Sequence, residues 1–136
     1  MIRKLKCIML IDDNSDDNFI HERVIRKCNA AESVVVKQTG KNALEYLRSK
    51  GTGDELHPNL IFLDINMPGM NGWEFLEEYE RLDVNFKSSV VVVMLTTSDN
   101  PDDRAKAIAL NVATDFKTKP LTREMLEEIM GKYLNL

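Results

Sequence analysis

Asp12, Asp13 and Asp64 each follow a short apolar run. Cys7-Ile8-Met9-Leu10-Ile11 leads into Asp12-Asp13, and Leu60-Ile61-Phe62-Leu63 leads into Asp64. Two further runs also end in reactive types. Val90 to Leu95 is followed by Thr96-Thr97, and Val112-Ala113-Thr114-Asp115-Phe116 is followed by Lys119-Pro120. If these runs are parallel strands of one sheet, their C-terminal ends share one edge, where open α/β sheets carry their sites. That edge would gather three carboxylates, a hydroxyl and an ammonium.

Two carboxylates about 4 Å apart repel by about 4 kcal/mol at an effective dielectric near 20. Three of them need a cation or a proton. Oxygen-only ligands select a hard ion, Mg²⁺ or one like it such as Mn²⁺, over zinc. His21 and His57 fall elsewhere in the pattern and are not expected among the ligands. Taken singly, each residue has an ordinary reading. Aspartates cap helices and start turns, lysines are mostly solvated, and threonine is common in strands. Their joint placement at four strand ends outweighs those readings. A cation and Lys119 on opposite sides could neutralise a phosphoryl group, with Thr96 donating a hydrogen bond to it. Phosphoryl transfer is mainly positioning and charge stabilisation, so these parts suffice. Asp64 stands alone at a middle strand and is the expected nucleophile, forming an acyl phosphate. Asp12 and Asp13 form a pair suited to holding metal.

The elements that must position these groups alternate between strand and helix patterns. Strands are expected over 6–11, 34–38, 60–63, 89–95 and 112–116. Helices are expected over 16–29 and 41–50, and from Asn71, Pro101 and Thr122 onward. Ser15 is the expected N-cap of the first helix, with Asp16 and Asp17 favourable in its first turn. Its apolar face is read as Phe19, Ile20, Val24 and Cys28. Ala43, Leu44 and Leu47 should face inward from the second helix, which Gly51 stops. Asn71 followed by Glu74 approaches a capping box, with Phe75, Leu76 and Tyr79 toward the sheet. Pro101 suits a first helical position. The last helix carries Met125, Leu126, Ile129, Met130 and Tyr133, and its regularly spaced residues are expected in the core. Five β-α units imply an α/β fold with a parallel sheet covered on both faces. Right-handed crossovers place helices on both sides if the strand order reverses once.

The chain's 136 residues suit one domain over 1–136, with no output domain expected after it. A net charge of -4 does not favour nonspecific nucleic-acid binding. The longest apolar stretch, Val90 to Leu95, is strand-sized, so no membrane association is expected. The basic N-terminus leads into too few apolar residues for a signal peptide. Cys7 and Cys28 sit among apolar neighbours and read as reduced core residues. A cytoplasmic location is expected.

Together these residues resemble the receiver domain of two-component response regulators. The resemblance rests on Ile11-Asp12-Asp13, on Leu63-Asp64-Ile65-Asn66-Met67-Pro68-Gly69-Met70-Asn71-Gly72, on Leu95-Thr96-Thr97-Ser98 and on Lys119-Pro120. It spans about Lys6 to Tyr133 and implies a flavodoxin-like (βα)5 sheet of order 2-1-3-4-5. It implies that Asp64 is the phosphoacceptor. Asp12, Asp13, Asp64 and the backbone carbonyl of Asn66 would bind Mg²⁺. Thr96 would be the switch hydroxyl, Phe116 the aromatic switch residue and Lys119 the phosphate-pairing lysine. Asn66, Thr97 and Ser98 fall where the family tunes hydrolysis. Thr97 is bulkier than the usual small residue, and Phe116 lacks the hydroxyl of the common tyrosine. The implied donor is a phosphohistidine on a histidine kinase or histidine phosphotransfer protein, and the implied output is contact with a downstream protein. Such a chain catalyses its own phosphorylation and dephosphorylation without being a conventional turnover enzyme. On this reading phosphorylation draws Thr96 inward, frees space for Phe116 and biases the face from Pro101 to Tyr133. A magnesium phosphatase of the haloacid-dehalogenase type is the competing reading. It wants a second acid two residues past the nucleophile, where this chain has Asn66.

Overall fold

Strands that bury side chains on both faces need helices on both sides, and that is how this chain is built. The structure is a computed structural model that describes residues 4–49, 57–82, 90–97, 100–110 and 113–134. The strands are β1 (Leu5–Ile11), β2 (Ala31–Lys37), β3 (Leu60–Leu63), β4 (Val91–Thr96) and β5 (Asp115–Thr118). The helices are α1 (Ser15–Lys27), α2 (Gly40–Ser49), α3 (Gly72–Glu80), α4 (Pro101–Leu110) and α5 (Arg123–Leu134). The sheet is parallel throughout, in the order β2-β1-β3-β4-β5. This is the flavodoxin-like order.

Alternation along the strands divides the core in two. Met9, Ile11, Ile61, Leu63, Val92 and Met94 face one side, with Leu44 and Leu47 of α2 and Phe75, Leu76 and Tyr79 of α3. Ile8, Leu10, Leu60, Phe62, Val93 and Leu95 face the other, with Ile25 of α1 and Leu126, Ile129 and Met130 of α5. The register sets the site. Ile11 pairs with Leu63, Leu63 with Met94, and Met94 with Phe116, so the chain leaves each strand at the same edge.

Several local expectations shift. The N-cap of α1 is Asn14, one residue before Ser15; its side-chain oxygen accepts from the backbone N–H groups of Asp16 and Asp17, both at 3.0 Å. Phe19 and Ile20 do not face the core. They are 66% and 48% exposed; the buried residues of α1 are Asn18, His21 and Ile25, while Val24 and Cys28 pack against the core as expected, partly buried. β2 starts earlier than expected, because Leu5 pairs with Ala31. β5 starts later, at Asp115, and of its residues only Phe116 is buried. That sparse burial is why composition marked it poorly. Gly51, Val112 and Ser98 lie outside the described residues.

Candidate functional site

Asp12 and Asp64 are buried while Asp13 is exposed, yet carboxylate oxygens of all three lie within 4.8 Å of one another. Backbone bonds across strand ends bring them there. Asp12 N–H donates to Lys37 O at 3.1 Å, and Asp64 N–H to Ile11 O at 3.0 Å. The Asp12 carboxylate also accepts from Asn14 N–H at 2.9 Å, and its backbone carbonyl accepts from the Asn18 amide at 2.8 Å. All donors in the triad are oxygens, two of them desolvated, which is the chemistry that holds a hard divalent cation.

The turn after Asp64 is tightly made. Gly69 takes φ of 75°, a conformation that favours glycine. Gly72 N–H donates to Ile65 O at 2.8 Å, and a Cβ on Gly72 would lie 2.5 Å from the Asp64 carbonyl oxygen. Asn71 and Glu74 close the expected capping box at 2.9 and 3.0 Å. Asn66 is exposed on this turn.

Lys119 is placed by its backbone N–H, which donates to Thr96 O at 2.8 Å. The Lys119-Pro120 bond is cis. The Lys119 ammonium lies 2.6 Å from Asp12, 2.8 Å from Asp17 and 3.7 Å from Asp64. Thr96 is fully buried, and its side chain hydrogen-bonds Asp64. Burial pushes the Asp64 carboxyl above its ordinary value, and Asp12 adds to the shift; Lys119 and the Thr96 bond offset only part of it. Burial works against the Lys119 charge, but hydrogen bonds to Asp12 and Asp17 outweigh it, and the net shift is upward.

The sequence pattern and a curated relative agree with this geometry. The pattern of the response regulator receiver domain matches residues 8–130. The response regulator Rcp1 of Synechocystis sp. is 32% identical over 127 residues, covering 93% of this chain and 85% of Rcp1. The chain belongs to the response regulator receiver family. Receiver domains are the phosphoacceptor modules of two-component signalling and are not conventional turnover enzymes. A two-component response regulator from Cytophaga hutchinsonii superposes on this receiver with a TM-score of 0.88, at 33% identity, covering 98% of this chain and all of that one. The Mn²⁺-bound form of Rcp1 gives 0.72 at 27% identity, covering 95% and 94%.

Three residues of the receiver site escaped the sequence reading. His21, expected elsewhere, lines a small cavity with Asp12, Asn18 and Asp64. Burial and the Lys119 charge push its pKa down, against the pull of Asp17 and Asp12. Asn18 holds the Asp12 backbone, and Asp17 holds Lys119. The spacing 14, 18, 21, 25 puts Asn14, Asn18, His21 and Ile25 on one helix face. Most of those residues are polar, so a reading that tracks hydrophobic side chains passes over them.

Phe116 is buried, with the Arg104 guanidinium 5.0 Å from its ring centroid. Thr97 is exposed just beyond Thr96, and Ser98 lies outside the described residues. On the neighbouring face, Tyr133 OH donates to Asp115 and Lys117 to Glu128, both at 2.8 Å. No helix among the described residues is long and apolar enough to cross a membrane.

Proposed function

We propose that Asp64 accepts a phosphoryl group from a phosphohistidine on a histidine kinase or histidine phosphotransfer protein, and that the chain acts as a cytoplasmic signalling receiver or in a phosphorelay. One observation carries this reading: Asp64 shares its carboxylate cluster with Asp12 and Asp13 and has Lys119 and Thr96 beside it. Asp12, Asp13, Asp64 and the backbone carbonyl of Asn66 would hold Mg²⁺ or Mn²⁺. The Mn²⁺-bound form of Rcp1 supports the ion class. A divalent cation there would neutralise charge on the phosphoryl oxygens. An Asp64 oxygen forms the new bond to phosphorus while the P–N bond breaks, its electron pair staying on the imidazole nitrogen. Lys119 supplies positive charge on the incoming group and Thr96 a hydroxyl donor. Hydrolysis of the acyl phosphate resets the site, tuned by Asn66, Thr97 and Ser98.

The readout would be the α4-β5-α5 face, presented to a downstream protein. Thr96 and Phe116 are both buried, and on this reading the phosphoryl group draws Thr96 inward and frees space for Phe116. Phosphorylation then acts by shifting the population between two packings of the same fold. The test of the acceptor is labelling by acetyl phosphate with Mg²⁺. Asp64→Asn should abolish it, and retained label would overturn the assignment.

A further inference from the structure

Lys119 is shared among carboxylates, and one of them has no part in the cluster around Asp64. Its ammonium makes contacts of 2.6 Å to Asp12 and 2.8 Å to Asp17, while Asp64 lies at 3.7 Å, beyond hydrogen-bond reach. The Lys119 side chain is only 8% exposed, so these carboxylates compete for it largely out of water. Asp12 belongs to the carboxylate triad, whereas Asp17 comes from the first turn of α1 and lies outside it. Its hold on Lys119 therefore draws on none of the groups that would ligate a cation. A phosphoryl group on Asp64 must take Lys119 from these partners.

We propose that Asp17 is a positioning residue: a competing counter-ion that holds Lys119 short of the acceptor and so weakens the site's grip on a phosphoryl group. The inference rests on Asp64 as acceptor and Lys119 as its counter-charge. The plainer role for Asp17 is helix stabilisation, because acids near a helix N-terminus favour the dipole. Asp16 separates the two roles. It stands in the same turn with the same backbone bond to Asn14, but it makes no ion pair with Lys119.

The experiment is calorimetric titration with beryllium fluoride, a phosphoryl mimic, at saturating Mg²⁺, together with Mg²⁺ titration alone. Asp17→Asn should bind beryllium fluoride about fivefold tighter, the scale of one removed charge several ångströms away in a partly screened site. Its Mg²⁺ affinity should be unchanged or slightly weaker. Asp17→Glu should return beryllium fluoride binding toward wild type, and Asp16→Asn should leave it at wild type. Unchanged or weaker beryllium fluoride binding by Asp17→Asn would overturn the inference, as would an equal gain in Asp16→Asn. Should Asp17→Asn fail to fold, Asp17→Ser carries the same expectation. Label retained on Asp64→Asn would instead sink the acceptor reading, so the two failures are distinguishable.

Discussion

Lys119 and Asp12 form a buried ion pair at 2.6 Å, while the same ammonium stands 3.7 Å from Asp64. The positive charge of the site is therefore bonded to the acid at the end of β1 and only near the expected acceptor. Removing one member of a buried pair is costly because the other charge stays behind. Lys119→Met should destabilise the chain by about 3 kcal/mol in EDTA at neutral pH. Because the Lys119 pKa is raised in the fold, its contribution is fully present below 10.5 and fades as pH rises through the higher folded value. The same variant removes a charge that repels a cation, so Mg²⁺ should bind about tenfold tighter and restore part of the lost stability. Urea unfolding with and without Mg²⁺ measures both effects. Weaker Mg²⁺ binding in the variant would contradict this account.

Asp13 differs from its two partners in being exposed. Its charge keeps its hydration and so costs little in the fold, but it still repels the buried carboxylates within 4.8 Å. Asp13→Asn should leave stability in EDTA unchanged or raise it by about 0.5 kcal/mol, the range of a surface charge effect. It should also weaken Mg²⁺ binding about tenfold or more by removing a charged ligand. Thermal melts in EDTA and in Mg²⁺ check the pair of effects. A large loss of stability without metal would mean that Asp13 has a structural role.

Gly72 couples α3 to the acceptor turn. A Cβ there would lie 2.5 Å from the Asp64 carbonyl oxygen and 2.9 Å from Ile65 Cα, both backbone atoms that yield only if the turn moves. Gly72→Ala should cost about 2 kcal/mol, as overpacking does, and should lower acetyl phosphate labelling more than its stability loss accounts for. Labelling at wild-type rate in the folded variant would show that the turn tolerates the shift.

The sheet and three of its four reactive strand ends were legible because short, unbroken apolar runs stop abruptly at charged or hydroxyl residues. β3 matched its expected bounds of 60–63, and Ala43, Leu44, Leu47, Phe75, Leu76 and Tyr79 face inward as their spacing required. β5 was harder, since one buried residue, Phe116, gives no periodicity to read. α1 misled for a physical reason. The site end of its inward face is Asn18 and His21, with Val24 and Ile25 on the core further along, while Phe19 and Ile20 are left to solvent. A hydrophobicity pattern assumes that burial selects apolar side chains, and next to a polar site that assumption fails. The role of Asp17 needed the third dimension, because its partner is 102 positions away.

Tyr79 carries a hydroxyl that is buried with no hydrogen-bond partner among the described residues. Its ring stacks on Phe75 at 5.9 Å between centroids, and that contact survives loss of the oxygen. An unsatisfied buried hydroxyl costs about 1–3 kcal/mol, so Tyr79→Phe should stabilise the chain by about 1 kcal/mol at neutral pH. The gain should grow in alkali. Burial, and then the neighbouring Glu80 charge, push the Tyr79 pKa well above its ordinary 10.0. Above that ordinary value the unfolded chain releases the tyrosine proton while the folded chain keeps it. Wild-type stability therefore falls as pH climbs toward the raised folded value, by up to about 1.4 kcal/mol per pH unit from this group. Phenylalanine has no proton to lose, so the gap between variant and wild type widens above pH 10.0. Urea unfolding at neutral pH and above pH 10.0 measures it. A variant less stable than wild type at neutral pH would mean that the hydroxyl is hydrogen-bonded after all, and a gap that stays constant into alkali would mean that Tyr79 ionises in the fold as readily as in the open chain.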